Sequence, residues 1–208
     1  WFENNGTETF TPHTISATAD GVKSLYAADL DGDGDVDVVA ALNGDGVVND
    51  RFEWYDNNGS GSFTARPISG IVDNNGQGPL SVFVADMDRE GDMDVVGGLD
   101  GGPQVAWYEN DGNQNFVKRS ISQGFGDGQD GYSVAASDVD GDGDMDAVAA
   151  LGGGGLAWYE NNGSQSFTKR LVSTANAPDD FRSVFAADVD GDGDIDFAAA
   201  VVSQNSPN

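Results

Sequence analysis

A chain of 208 residues is long enough for one domain with a buried core. It carries 36 acidic against 9 basic residues, a net charge of −27, which excludes nucleic acid and an anionic membrane as electrostatic partners. Cysteine is absent, which excludes disulfide staples and thiol chemistry, and no apolar run reaches membrane-spanning length.

From the N-terminus, the first element is an aromatic segment opening at Trp1, and it recurs at Trp54, Trp107 and Trp158. Each segment runs into an Asn-Gly or Asp-Gly pair: Asn5-Gly6, Asn58-Gly59, Asp111-Gly112, Asn162-Gly163. Such pairs tolerate positive φ and predict a hairpin. The returning strand starts at Phe10, Phe63, Phe116 or Phe167 and reaches Ile15, Ile68, Ile121 or Val172. A variable Gly/Asn/Asp/Pro-rich loop follows, then a third strand such as Ser81 to Ala85 or Ser183 to Ala187. A fourth strand rich in Ala, Val and Gly closes the unit, and its composition suits a crowded, doubly buried place near a central axis. The four copies are 1–53, 54–106, 107–157 and 158–208. No segment shows helical spacing, so the chain reads as all-β.

Between the third and fourth strands lies the most informative element. Acidic residues alternate with small or apolar ones over Asp29 to Asp37, Asp86 to Asp94, Asp138 to Asp146 and Asp188 to Asp196. Five acidic side chains within nine residues repel one another unless a cation sits among them. Oxygen ligands at alternate positions, with a sixth-position glycine (Gly34, Gly91, Gly143, Gly193) for the bend, are what Ca²⁺ requires. Positions one, three and five turn inward, and the seventh carbonyl and ninth carboxylate complete the cage. A disordered acidic tract would not carry buried-strand sequence at a fixed offset after every run. The second loop departs from the others: Arg89 replaces glycine and Glu90 replaces Asp, so it is expected to bind most weakly.

A four-stranded unit repeating about every fifty residues predicts a β-propeller. The competing architecture, a calcium-bound β-roll, uses nonapeptide turns and does not explain the fixed aromatic positions. A closed four-bladed ring, in which the first strands complete the last blade, and an arc of a larger propeller both fit.

The Asp-x-Asp-Gly-Asp-Gly-Asp-x-Asp loop between buried strands, with Trp-Tyr-Glu-Asn-Asn-Gly beside it, resembles the FG-GAP/VCBS repeat. That family includes integrin α-subunit propellers, propeller lectins, and repeat domains of secreted enzymes and surface proteins. The likeness covers essentially the whole chain. It implies up to four Ca²⁺ ions held by Asp29, Asp31, Asp33 and Asp37 with the carbonyl of Asp35, and by Asp86, Asp88, Glu90 and Asp94 with Asp92. The third and fourth sets are Asp138, Asp140, Asp142 and Asp146 with Asp144, and Asp188, Asp190, Asp192 and Asp196 with Asp194. The fold and metal follow from membership, whereas the partner does not.

Four bound Ca²⁺ would leave a charge of about −19. Stabilisation by metal without cysteine points to an extracellular or cell-surface location. No signal peptide is visible, and a chain starting at Trp1 reads as a processed or excerpted product. Asn5, Asn58 and Asn162 head glycosylation sequons, although hairpin geometry alone accounts for Asn-Gly at these turns. One histidine, His13, aligned with Arg66, Arg119 and Arg170, and no cysteine leave no nucleophile–base set, so the chain is not expected to be an enzyme. A structural or adhesion scaffold in a larger assembly is the leading reading. The alternative is a carbohydrate-binding propeller lectin or the binding module of a secreted polysaccharide-active enzyme. Protein or glycan ligands are expected on the variable loops Asn43 to Arg51, Asp73 to Pro79, Gly124 to Gly131 and Thr174 to Asp180. Neighbouring repeats or copies of the chain itself are further expected partners. The repeated Trp residues are expected to pack, with the adjacent Tyr partly exposed.

Overall fold

The computed structural model describes residues 1–44, 50–68, 78–101, 104–122, 130–153, 155–173 and 180–202. Among these residues all regular structure is β-strand, in antiparallel meanders. A two-stranded sheet comes first, β1 (Phe2–Asn4) with β2 (Phe10–Pro12). Three four-stranded sheets follow. Sheet one holds β3 (Val22–Ala28), β4 (Asp37–Leu42), β5 (Arg51–Asn57) and β6 (Phe63–Pro67). Sheet two holds β7 (Pro79–Ala85), β8 (Asp94–Leu99), β9 (Val105–Asn110) and β10 (Phe116–Ser120). Sheet three holds β11 (Gly131–Ser137), β12 (Asp146–Leu151), β13 (Gly155–Asn161) and β14 (Phe167–Ser173). The last pair is β15 (Asp180–Ala187) with β16 (Asp196–Val202).

The sheets are out of phase with the Trp-to-Trp copies. Each takes its first two strands from one copy and its last two from the next, because the Ala/Val strand after an acidic loop pairs with the following aromatic strand, as Val39 does with Trp54. That Ala/Val strand is buried along its length in β8 and β12 and nearly so in β4. It stands second in its sheet, and the edge belongs to β3, β7 and β11.

These edge strands carry the link between sheets. Every one, and β15 with them, has a register shift just before a serine, between Val22 and Ser24, Pro79 and Ser81, Gly131 and Ser133, and Phe181 and Ser183. A bulge re-aims the side chain that follows it. Ser24 Oγ accepts the N–H of Val82 at 3.3 Å, Ser81 Oγ that of Val134 at 3.1 Å, and Ser133 Oγ that of Val184 at 3.2 Å. Apolar side chains fill the spaces between sheets. Val39, Phe52, Trp54, Val82, Val95 and Tyr108 join sheets one and two. Val96, Trp107, Val134, Ala149 and Tyr159 join sheets two and three, and Val148, Leu156, Phe181 and Val184 join sheet three to β15–β16.

Ring closure is not present among the described residues. The β1–β2 and β15–β16 pairs stay separate two-stranded sheets, so the observed arrangement is an open stack of antiparallel sheets. The hairpins are also wider than the Asn-Gly signal implies. Each spans five residues, as from Asn58 N–H to the Ser62 carbonyl at 3.1 Å, with positive φ at Gly59 and Gly61. The Asn58 side chain accepts the N–H groups of Ser60 and Ser62, and Asp111 does the same for Asn113 and Asn115. An aspartate therefore serves where the other copies have a sequon asparagine.

Candidate metal centres

Each acidic loop connects the first two strands of a sheet, and the antiparallel pairing of those strands brings its two ends together. Position one anchors the turn: Asp29 accepts the N–H groups of Gly32 and Gly34 at 2.8 and 2.9 Å, and Asp188 those of Gly191 and Gly193. Asp86 and Asp138 each accept the sixth-position N–H, from Gly91 and Gly143. Position three accepts from position five, as in Asp140 with the N–H of Asp142 at 3.2 Å. Position five in turn accepts from position seven: Asp35 donates to Asp33, Asp144 to Asp142 and Asp194 to Asp192. Glu90 makes no such bond, so its extra methylene interrupts the ladder in the second loop.

These turns gather carboxylates into four clusters in which one oxygen per residue lies within 4.8 Å of the others. They are Asp29, Asp31 and Asp33; Asp86, Asp88 and Asp94; Asp138, Asp140 and Asp146; and Asp188, Asp190 and Asp192. The clusters could hold a metal ion. The chemistry of the donor atoms fits a hard cation, because every side-chain donor is a carboxylate oxygen. Asp86 Oδ1, Asp88 Oδ2 and Asp138 Oδ1 are buried acceptors without any donor. A buried acceptor left in that state is costly unless water or a cation meets it.

Position nine does more than face the cage. Asp37 Oδ2 accepts the Leu30 N–H at 3.0 Å and its Oδ1 the Asn57 N–H at 2.8 Å, which ties the loop to β5. Asp94 holds Met87 and Asn110 in the same way, and Asp146 holds Val139 and Asn161. All three carboxylates are fully buried. Burial pushes Asp94 up to about 7 despite its two N–H donors, and raises Asp37 and Asp146 for the same reason. Burial also raises Asp31 and Asp88. In the last loop Asp196 has the Val189 bond and is only partly covered.

Position seven turns its side chain away from the cage. The carboxylates of Asp35, Asp92 and Asp144 lie against the hairpin glycines Gly59, Gly112 and Gly163, where a Cβ would collide with them. Any part these residues play at the cage therefore falls to the main-chain carbonyl. The Arg89 guanidinium reaches across to Asp144 in the third loop. Arg89 sits at φ 64°, where the other loops place Gly32, Gly141 and Gly191.

Sequence reasoning missed the serine links, whose signal was a serine at one fixed place in every edge strand, and the asparagines Asn57, Asn110 and Asn161. Asn110 Nδ2 donates to the Met93 carbonyl in its own sheet and to the Leu30 carbonyl in the preceding one, and Asn161 does likewise with Met145 and Met87. Trp54 and Trp107 are buried as expected and Trp158 is half-buried, but Trp1 is 43% exposed, contrary to the expectation that all four pack; Tyr55, Tyr108 and Tyr159 are buried, contrary to the expectation of a partly exposed Tyr. Arg66, Arg119 and Arg170 pair with Asp56, Glu109 and Glu160 on the adjacent strand. The centres of the variable loops, residues 45–49, 73–77, 124–129 and 174–179, lie outside the described residues.

The model of the FG-GAP-like repeat matches residues 1–40, 42–97, 91–149 and 138–199. The chain belongs to the FG-GAP-like repeat family. Comparison with curated proteins returns no match. Membership makes this a repeat domain of scaffold type, and each of the four matched segments includes at least one whole acidic loop.

Proposed function

We propose that the four acidic loops bind Ca²⁺ and that the ions stiffen a non-catalytic scaffold or adhesion domain working outside the cell. The supporting observation is the set of buried, donorless oxygens on Asp86, Asp88 and Asp138 within carboxylate clusters. Positions one, three, five and nine of each loop would supply the carboxylates and position seven its carbonyl. Ca²⁺ accepts six to eight oxygens in flexible geometry, which suits a loop that bends at glycines. Sites of this open kind fill at the calcium concentrations found outside cells, and FG-GAP repeats are typical of extracellular proteins. Partners, whether protein or glycan, are assigned to the variable loops. A sugar platform at Trp54 and Trp107 loses support, because neither has an exposed ring face.

Thermal melts in EGTA and in millimolar calcium test the reading. A site held at a hundredfold excess over its dissociation constant adds roughly 2.7 kcal/mol, so the midpoint should rise by several degrees or more with calcium. Equal midpoints would overturn it.

A further inference from the structure

We infer that the cavity between the first and second acidic loops is a docking site for an arginine side chain of a protein partner. It lies between sheets one and two, both of them complete, and its volume is about 290 Å³. Gly32 of the first loop stands on one side, and Gly91 and Asp92 of the second on the other. Asp31 and Gln114 also border it and hydrogen-bond to each other at 3.4 Å.

The next junction along the stack shows what such a space accepts. Between the second and third loops, position four is Arg89 where the first junction has Gly32, and positions six and seven are Gly143 and Asp144 where it has Gly91 and Asp92. Arg89 pairs there with Asp144, and its guanidinium lies over Gly143, where an added Cβ would be 3.0 Å from Nη2. At Gly91 an added Cβ meets nothing within 4 Å. Asp92 rests against its hairpin glycine, Gly112, just as Asp144 rests against Gly163. Among the described residues no basic side chain pairs with Asp92. One junction thus carries its own guanidinium. The other keeps the same carboxylate with open space in front of it.

Chemistry narrows the occupant. A guanidinium is planar, forks onto a carboxylate through two N–H groups and is more weakly hydrated than an ammonium, so it suits a half-buried carboxylate better than lysine does. Its methylene stem can lie along Leu30 and Met93, which also line the cavity. Every arginine in this chain already has an acidic partner of its own, so the occupant comes from a different protein and not from a second copy. The net charge of −27 steers basic partners toward the surface. None of the variable-loop residues is used. The inference goes beyond the calcium reading without resting on it, because the Asp92 side chain is turned away from the cage.

NMR titration of the isotope-labelled chain with N-acetyl-arginine amide, in millimolar calcium at low salt, tests the inference. The amide signals of Gly91, Asp92, Gly112 and Gln114 should shift saturably, with a dissociation constant on the order of 1 mM. Those of Gly143, Asp144 and Gly163 should stay still in the wild type and should shift once Arg89→Gly opens their junction. Asp92→Asn should weaken binding at the first junction by about tenfold or more. Gly32→Arg should abolish it by filling the cavity from within, and Arg89 at φ 64° shows that position four can carry this side chain. Both variants should keep the wild-type spectrum elsewhere. The lysine counterpart of the probe should bind more weakly, the uncharged citrulline counterpart not at all, and free arginine no better than the blocked form.

No saturable shift at Gly91 and Asp92, or shifts spread evenly over both junctions of the wild type, would overturn the inference. Binding that ignores Asp92→Asn or Gly32→Arg would do so too, as would lysine or citrulline probes that bind as well as arginine. A clear preference for free arginine would assign the cavity to a small molecule and reject the protein partner.

Discussion

The Arg89 guanidinium of the second acidic loop is paired with the Asp144 carboxylate of the third, across the boundary between two sheets. The contact exists because the seventh side chain of the third loop turns away from its cage, leaving a carboxylate within reach of a long basic residue at position four of the second. Gln114 makes a comparable but weaker reach from the Asp111–Asn115 hairpin of sheet two to Asp31 of the first loop at 3.4 Å. Two loops that sequence reads as independent, the second and the third, are therefore joined.

Replacing Arg89 by Gly sets two effects against each other. A side chain at positive φ costs about 1 kcal/mol, which glycine recovers. A half-exposed ion pair is worth up to about 1 kcal/mol and is lost. Net stability should change by less than about 1 kcal/mol. A double-mutant cycle with Asp144→Asn, followed by urea denaturation at low and high salt, should show a coupling that fades with salt. Strictly additive effects at low salt would deny the pair any role.

Position nine should prove structural as well as ligating. Asp94→Asn places an amide N–H₂ against one of two buried N–H donors and should cost about 1–3 kcal/mol even in EGTA. Asp196→Asn, in the loop with one donor and partial exposure, should cost clearly less under the same conditions. Equal losses at the two sites would show that the staple to the aromatic strand carries no energy.

The hairpin glycines offer a controlled pair. Gly6 and Gly112 have φ of 78° and 71°, but a Cβ meets nothing at Gly6 and strikes the Asp92 carboxylate at Gly112. Alanine at Gly6 should cost about 1 kcal/mol from the backbone alone. At Gly112 it should cost more, and the double variant with Asp92→Ala should recover the difference. Melting midpoints of the four proteins decide it.

Far from the metal centres, burial and the neighbouring Asp130 push Asp100 up to about 6. Its folded value lies above the unfolded one, so the native chain holds more protons between about pH 4 and 6. This residue's contribution to stability is greatest at the acid end and is lost as pH rises through about 6. Asp100→Asn should raise the melting midpoint above pH 6 and leave it little changed near pH 4. A uniform shift across that range would count against the assignment.

The sequence by itself determined the strands, their antiparallel order and the acidic loops, because each rests on neighbours along the chain. Alternation of Asp and Gly sets the loop, Asn-Gly sets the turn, and a short apolar run such as Val38 to Leu42, bounded by turn signals, reads as a buried strand. It did not give the phase of the sheets, the use of Asp37 as a staple, the outward turn of Asp35 or the reach of Arg89. Those depend on residues that meet only after folding, such as Asp37 with Asn57 and Arg89 with Asp144, and hydrogen bonds between strands carry no local signature. Closure was left open by the sequence for the same reason. Whether β16 meets β1 is a matter of how far successive sheets rotate as they stack, which is set by the packing between sheets, through Phe52, Trp107 and the serine ladder.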